Sequence, residues 1–470
     1  MDELLTLSTA ELAQRIKAGQ VSPVTVVEAH IRRIEEVNPK LNAVITPMFE
    51  QARAEAQAAA QRIAENGTEG LPPLFGVPVT IKDALPVAGV RFTAGSWYMR
   101  DHVAEVDAAV VRKLREAGAI ILGKTNLPDM SWSPEAINPI FGRTLNPRHK
   151  AYTPGGSSGG ESAIIAAGGS PLGIGSDIAG SVRIPAAQTG IVALKPTASR
   201  ISTEGHVPQG ASPKLEGWNT VGPMARRVED LALALAILSE TPVQDYRAVS
   251  LAGRRLTVVT NNPLVPVHRE VSETVMLAAG GLTCADMELH RANNLPFTEV
   301  GLAYGAMIYR EYGHAQRAAL GGGQPYKLME EIRYIREGQP HITPSILFLN
   351  EMTMFFGRVM ATVGFASEKR LAKARQRILD AMTPGGVMLI PNTSYLPPQH
   401  GWTWWYLFRP PFTMLFNALG FPAVSIPIQY QKNGMPLSVQ VVAQPGEDEV
   451  ALAVAAELER VFGGWKIATP

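Results

Sequence analysis

Cysteine is almost missing from this chain: Cys284 is the only one in 470 residues. A lone thiol cannot close an internal disulfide, so a stapled secreted scaffold is excluded and a reducing, cytoplasmic compartment is expected. Cys284 itself reads as a small buried hydrophobe rather than a catalytic thiol. Also missing is any uninterrupted apolar run of about 18 residues, so no membrane span is expected. The start, Met1-Asp2-Glu3-Leu4-Leu5, has no basic region and no apolar stretch, and no signal peptide is expected. Charge of either sign is not in excess, the formal net charge being +1. That balance gives no reason to expect nucleic acid or an acidic membrane surface as a partner. Low-complexity linkers and internal repeats are absent, and a single domain over residues 1–470, as monomer or homodimer, is expected.

What is present is apolar content, 46% against 18% charged residues, enough for an extensive core. Ser8 and Glu11 are spaced as a capping box, and Gly19 is a stop. Ser22-Pro23 starts a second helix, with Val27, Ile31 and Ile34 on its apolar side, and Pro39 is expected to end it. An alanine-rich helix from about Glu50 closes at Asn66-Gly67. Pro78 to Asp83, Ala119 to Leu122, Val192 to Pro196, Leu256 to Val259 and Met388 to Pro391 read as strands, the first two separated by a helical pattern around Ala108 to Ala117. Pro422 to Ile428 and Leu437 to Val442 are two more, joined by a turn at Asn433-Gly434. Ser367 to Met382 and Glu449 to Phe462 read as helices. Strands separated by helical patterns argue for an α/β class with a mixed or parallel sheet.

The densest chemistry is Gly155-Gly156-Ser157-Ser158-Gly159-Gly160, continued to Ser176-Asp177-Ile178-Ala179-Gly180-Ser181-Val182-Arg183-Ile184-Pro185. A small-residue helix pattern joins the two serine clusters, so two turns that each present a hydroxyl are brought together. That layout suits acyl transfer, in which one serine attacks and backbone N–H groups receive the oxyanion.

Three motif readings compete. Gly118 to Thr125 matches a P-loop by letter, but the residues between its glycines are an apolar strand with no free N–H groups. Gly155 to Gly159 satisfies the nucleophile-elbow pattern, yet the run before it, Asn146 to Pro154, is polar and twice broken by proline where a strand is required. The third reading makes a lysine the base. Lys82 ends a strand that looks buried, and burial lowers a lysine from about 10.4 toward neutrality. The alternative, a strand-end lysine that reaches out to water, is not separated from it by spacing alone.

Lys82, the Gly155–Gly160 block and the Ser176–Pro185 stretch resemble the amidase signature family, and the similarity spans nearly the whole chain. Leu419-Gly420-Phe421-Pro422 through Phe462-Gly463-Gly464-Trp465 is similar to the fatty-acid amide hydrolase branch, its second vertebrate type. The resemblance implies an α/β fold whose central twisted mixed sheet is covered by helices on both faces. It also implies a Ser-cisSer-Lys triad: Ser181 as nucleophile, Ser157 bridging on a cis peptide, and Lys82 as base. The N–H groups of Ile178, Ala179, Gly180 and Ser181 are then the expected oxyanion hole, with the Ser131 loop contacting substrate. Ala179 stands where the family pattern has glycine, which bears on the geometry of the hole.

Ser158 is read as a supporting donor, and Asp177 and Arg183 as pinning the loop rather than touching substrate. His149, His206 and His400 lack metal-ligand spacing and read as structural or exposed. Five aromatics between Trp402 and Phe408 cannot all face one way, so some are expected to line a cavity; Trp132, Trp402, Trp404 and Trp405 are the candidate apolar pocket. No metal or cofactor is expected. The implied activity is hydrolysis of an amide, ester or carbamate with an apolar or aromatic part. Two rivals stay open: an A-type amidotransferase component that works with partner chains, and a non-catalytic binding protein on the same fold.

Overall fold

The computed structural model describes the chain except for residues 1, 210–211, 213–214, 216, 263–264, 293–294 and 404–410. Among the described residues, eleven strands share one sheet: β1 Val44–Pro47, β2 Pro78–Lys82, β3 Ile120–Thr125, β4 Leu172–Asp177, β5 Val192–Lys195, β6 Thr220–Ala225, β7 Arg255–Val258, β8 Glu288–Arg291, β9 Val387–Pro391, β10 Ala423–Tyr430 and β11 Pro436–Val442. Their spatial order is β1-β3-β2-β4-β6-β5-β10-β11-β9-β7-β8. The pairs β3–β2, β2–β4, β9–β7 and β7–β8 are parallel and the others antiparallel, so the sheet is mixed.

The helices used below are α1 Thr9–Lys17, α2 Pro23–Leu41, α3 Phe49–Asn66, α4 Ala109–Glu116, α5 Gly159–Ala166, α6 Arg183–Thr189, α7 Phe297–Leu320, α8 Pro344–Thr362, α9 Glu368–Met382, α10 Thr413–Ala418 and α11 Asp448–Phe462. The caps are as the sequence predicts: Ser8 and Glu11 bond reciprocally at α1, and Ser22 accepts from Thr25 N–H at α2. Pro39 does not end α2, contrary to expectation. The helix runs on to Leu41 and stops at left-handed Asn42, φ 52°, whose N–H reaches the Asn38 carbonyl at 2.8 Å. Pro39 lies on the exposed side one turn after exposed Glu35, so the carbonyl it leaves unpartnered faces water.

Alternation along the strands sorts the core. Val79, Ile81, Ile121 and Ile174 pack in one cluster with Leu12 of α1, Leu114 of α4 and Leu452 of α11. Ile120 and Leu122 pack in another with Ile31 of α2 and Ile164 of α5. Every residue of α5 is buried. Residues in the strands that alternate with Val79 and Ile81, Lys82 among them, therefore face α5.

Cys284 is exposed, which corrects the buried reading. It caps the helix whose buried face is Val271, Thr274, Val275, Ala278, Ala279 and Leu282, and its position falls off that face. Among the described residues no helix is long and apolar enough to cross a membrane.

Candidate active site

Lys82 is the last residue of β2 and has no solvent exposure. Its Nζ lies 2.6 Å from Ser157 Oγ and 2.9 Å from Ser176 Oγ. Burial drives its pKa down to about 7, against the pull of the carboxylates of Asp177 and Glu161. The lysine therefore ends among hydroxyls in a dry interior, and the water-reaching alternative does not hold.

Ser157 precedes α5, and the Gly156–Ser157 peptide is cis. The chain before it is not a strand, which disposes of the nucleophile elbow. Beneath Lys82, the Glu161 carboxyl accepts from Thr80 Oγ1 and, at 2.7 Å, from Thr125 Oγ1. Burial raises Glu161 to about 7, opposed by these two hydroxyls and by Lys82. Gly173 in β4 is required by this packing, since a Cβ there would stand 1.8 Å from Glu161 Oε1.

β4 delivers Ser176 and Asp177 to the site, and the loop 178–182 follows. Asp177 fixes that loop. Its carboxylate accepts from Gly180 N–H at 2.6 Å, Val182 N–H at 3.2 Å, and Arg183 Nε and Nη2 at 3.0 Å each. Burial would raise Asp177, but the Arg183 guanidinium overrides it and holds the carboxyl down at about 2. Arg183 also bonds Asn417 Oδ1 of α10 at 2.6 Å and Gln440 Oε1 of β11 at 3.1 Å. Asp177 and Arg183 thus bond to each other, and Asp177 to two N–H groups of the loop. Ser158 supports from below: its N–H donates to the Ser181 carbonyl at 3.1 Å, and its Oγ lies 3.4 Å from both Ser176 N and O.

Two carbonyls of the loop are tied outward, Ile178 O to Tyr304 OH at 3.0 Å and Ala179 O to Thr413 Oγ1 at 2.8 Å. Among the described residues, the N–H groups of Ile178, Ala179 and Ser181 donate to no protein acceptor, whereas Gly180 N–H is taken by Asp177. Ala179 is not among the residues with positive φ, so alanine sits here without the strain that would demand glycine.

Ser157 and Ser181 line one small cavity of about 30 Å³, together with Ser131, Trp132, Ser176 and His206. Ser181 also faces a wider apolar cavity of about 470 Å³. Its walls come chiefly from α7 and α8, including Phe297, Tyr304, Ile308, Phe356 and Met360, with Trp132 and Ser131 at the serine end. Of the expected pocket residues, Trp132 takes its place there. Trp402 is 52% exposed and not part of the wall among the described residues. Trp404 and Trp405 lie outside the described residues. Sequence reading missed α7 and α8 as pocket walls, because an apolar helix face turned to a cavity has the same periodicity as one turned to core. It also missed the contact of Ser176 with Lys82 and the burial of His206 beside the serines.

A buried lysine thus lies among serines, and Ser181 in the neighbouring loop faces an apolar cavity. The chain belongs to the amidase signature family: the amidase family model matches residues 25–452. It is an amide-hydrolysing enzyme. It is 32% identical to fatty-acid amide hydrolase 2-A of Danio rerio, over 98% of this chain and 90% of the relative. It is also 30% identical to the A component of the glutamyl-tRNA(Gln) amidotransferase of Nitratidesulfovibrio vulgaris, over 98% of each chain. The solved structure of 6-aminohexanoate cyclic dimer hydrolase is similar with a TM-score of 0.80, at 27% identity and 98% coverage of both chains.

Proposed function

We propose that this enzyme, as one catalytic domain in a cytoplasmic setting, cleaves carboxylic amides with an apolar or aromatic part, and related esters or carbamates, through an acyl-enzyme on Ser181. The observation that carries the reading is the fully buried Lys82, 2.6 Å from the Oγ of Ser157, a serine that lines one small cavity with Ser181. A lysine lowered to about 7 is largely neutral just above that pH and can accept a proton. Lys82 takes one from Ser157 as Ser157 takes one from Ser181, and Ser181 Oγ attacks the carbonyl carbon. The oxyanion is received by the N–H groups of Ile178, Ala179 and Ser181, with Gly180 N–H holding the loop through Asp177. Ser157 returns a proton to the departing amine nitrogen, and water then releases the acid from Ser181. The apolar cavity over Ser181 suits the acyl or aryl part of the substrate.

The test is labelling by a fluorophosphonate. The wild type is expected to react with one equivalent and Ser181→Ala with none, while a thermal melt shows the variant folded. Unchanged labelling of Ser181→Ala would place the nucleophile elsewhere. Turnover of aryl amides, fatty amides and carbamates by the isolated chain separates this reading from a component that acts only with partner chains.

A further inference from the structure

His206 has a place in the site that the mechanism above leaves unused. It is buried, 4% exposed, and lines the small cavity with Ser157, Ser176 and Ser181. Its backbone is held by a bond from His206 N–H to the Thr203 carbonyl at 3.0 Å, and by Val207 N–H to the Ala84 carbonyl at 2.9 Å. In the ring, Nδ1 lies 3.0 Å from the Pro208 carbonyl oxygen. A carbonyl can only accept, so Nδ1 carries the proton and donates. Asn219 Nδ2, itself a donor, lies 3.2 Å from the same nitrogen; with the Nδ1 proton directed to the shorter Pro208 contact, the Asn219 amide turns its oxygen rather than its NH2 to the ring. The other nitrogen, Nε2, is then a bare acceptor, and it is buried with no hydrogen-bond partner among the described residues. Burial, reinforced by neighbouring Lys82, lowers the ring to about 3, so it stays neutral in the working range.

A buried acceptor without a partner costs stability unless something bound supplies a donor. The cavity of about 30 Å³ has room for one small polar group beside the serines. Ser181 attacks from this cavity and Ser157 protonates the departing atom here. The group that reaches the cavity during acylation is therefore the leaving-group heteroatom. We infer that His206 Nε2 accepts a hydrogen bond from the N–H of the scissile amide, and that this contact makes the enzyme favour amides over esters of the same acyl and aryl groups. An ester oxygen has no hydrogen to give, so with an ester the histidine stays unpartnered and the site rejects it in part. His206 neither gains nor loses a proton in this role. It touches substrate and fixes the amide nitrogen so that the lone pair faces Ser157.

The inference rests on the proposed acyl-enzyme, and one set of measurements separates the two. The substrates are 4-nitroacetanilide and 4-nitrophenyl acetate, which share acyl and aryl groups. The variants are His206→Leu, with no acceptor, and His206→Gln, which retains one. His206→Leu is expected to lose about tenfold or more in kcat/KM on the anilide and under about threefold on the ester. His206→Gln is expected to recover much of the anilide activity. Fluorophosphonate labelling of Ser181 is expected at the wild-type rate in both, because the reagent has no N–H to place. Normal labelling with equal losses on anilide and ester, or with no loss, would overturn the inference. If His206→Leu fails to fold, His206→Phe, which keeps a ring and has no acceptor, takes its place: a loss confined to the anilide supports the inference, and equal losses or no loss overturn it. Failure of the wild type itself to label would instead remove the acyl-enzyme reading.

Discussion

Lys82 and Lys124 stand on neighbouring parallel strands, both without solvent exposure, and they have different surroundings. The β2–β3 register sets Ile81 beside Lys124 and Lys82 beside Thr125. Side chains alternate along a strand, so the two lysines project to opposite faces. Lys124 Nζ meets Asp83 Oδ1 at 2.6 Å, a buried ion pair. Among the described residues, Lys82 Nζ meets only the hydroxyls of Ser157 and Ser176, with Glu161 and Asp177 acting at longer range. Burial is the same in both cases. Burial pushes both lysines down; at Lys124 the Asp83 carboxylate opposes it from hydrogen-bond distance, whereas among the described residues Lys82 has hydroxyls at that distance.

The largest effect that tests this contrast is on turnover. Lys82→Met should lower kcat/KM on amides by about 100- to 10,000-fold, the range a positioned general base supplies. Lys82→Arg should do no better, because a guanidinium stays protonated at any working pH. Part of the loss in Lys82→Met should return at high pH as hydroxide substitutes for the base. Lys124→Met, assayed per folded molecule, should retain most activity. Similar losses for both variants would show that the site needs the pair of strands intact and not Lys82 in particular.

The second effect is on stability and runs the other way. Lys124→Met leaves Asp83 Oδ1 buried without its cation, although Thr93 still donates to Oδ2 through its N–H at 3.0 Å and its Oγ1 at 2.6 Å. Breaking a buried pair in this manner costs about 3–5 kcal/mol, which denaturant unfolding would register. Lys82→Met removes a group that folding forces toward its neutral form. It should unfold no more easily than wild type near pH 7.

Both lysines lie in stretches whose strand character was legible. Val77, Val79 and Ile81 alternate plainly, and the apolar run Ile120 to Leu122 told against a phosphate loop at Gly123-Lys124. The capping box at Ser8 was equally readable, because it rests on contacts within a few residues, and the clusters at Ser157 and Ser181 stood out as dense runs of glycine and serine. β4 was not. Its positions facing α5 are Gly173 and Gly175, kept small by Glu161 and Ser158, and glycines carry no alternation signal. The walls that α7 and α8 give the apolar cavity were missed for a related reason. A row of tryptophans is conspicuous in sequence, whereas Phe297, Ile308 and Met360 on α7 and α8 read as ordinary helix faces. His206 depends on chain segments brought together only by the fold.

The third effect is a slope. In the unfolded chain Lys82 titrates at its ordinary value of 10.5, and in the folded protein at about 7. Between those values the unfolded state holds a proton the folded state lacks, so stability from this site rises with pH across that window and is flat below it. Each pH unit within the window adds about 1.4 kcal/mol at most. Subtracting the pH dependence of Lys82→Met unfolding from that of the wild type should leave a rising difference between about pH 7 and pH 10. A flat difference across that window would mean that Lys82 is held charged, as a salt-bridged lysine would be.

The smallest effect concerns Glu161, which tunes Lys82 without touching it. Its negative charge raises the lysine's pKa, in opposition to burial. Glu161→Gln keeps the shape and removes the charge; its amide oxygen accepts from one of Thr80 and Thr125, and its NH2 donates to the hydroxyl oxygen of the other. Lys82 should then lose its proton at lower pH, and the acid limb of the kcat/KM profile should move downward by less than about one pH unit, a small electrostatic change. Because burial raises Glu161 itself to about 7, only the fraction ionised at a given pH contributes, and the displacement should shrink where Glu161 is protonated in the wild type. The two titrations are coupled, so the wild-type limb belongs to the pair and should be broader than a single ionisation, and Glu161→Gln should sharpen it. An acid limb of unchanged position and width in Glu161→Gln would mean that the limb reports some group other than Lys82.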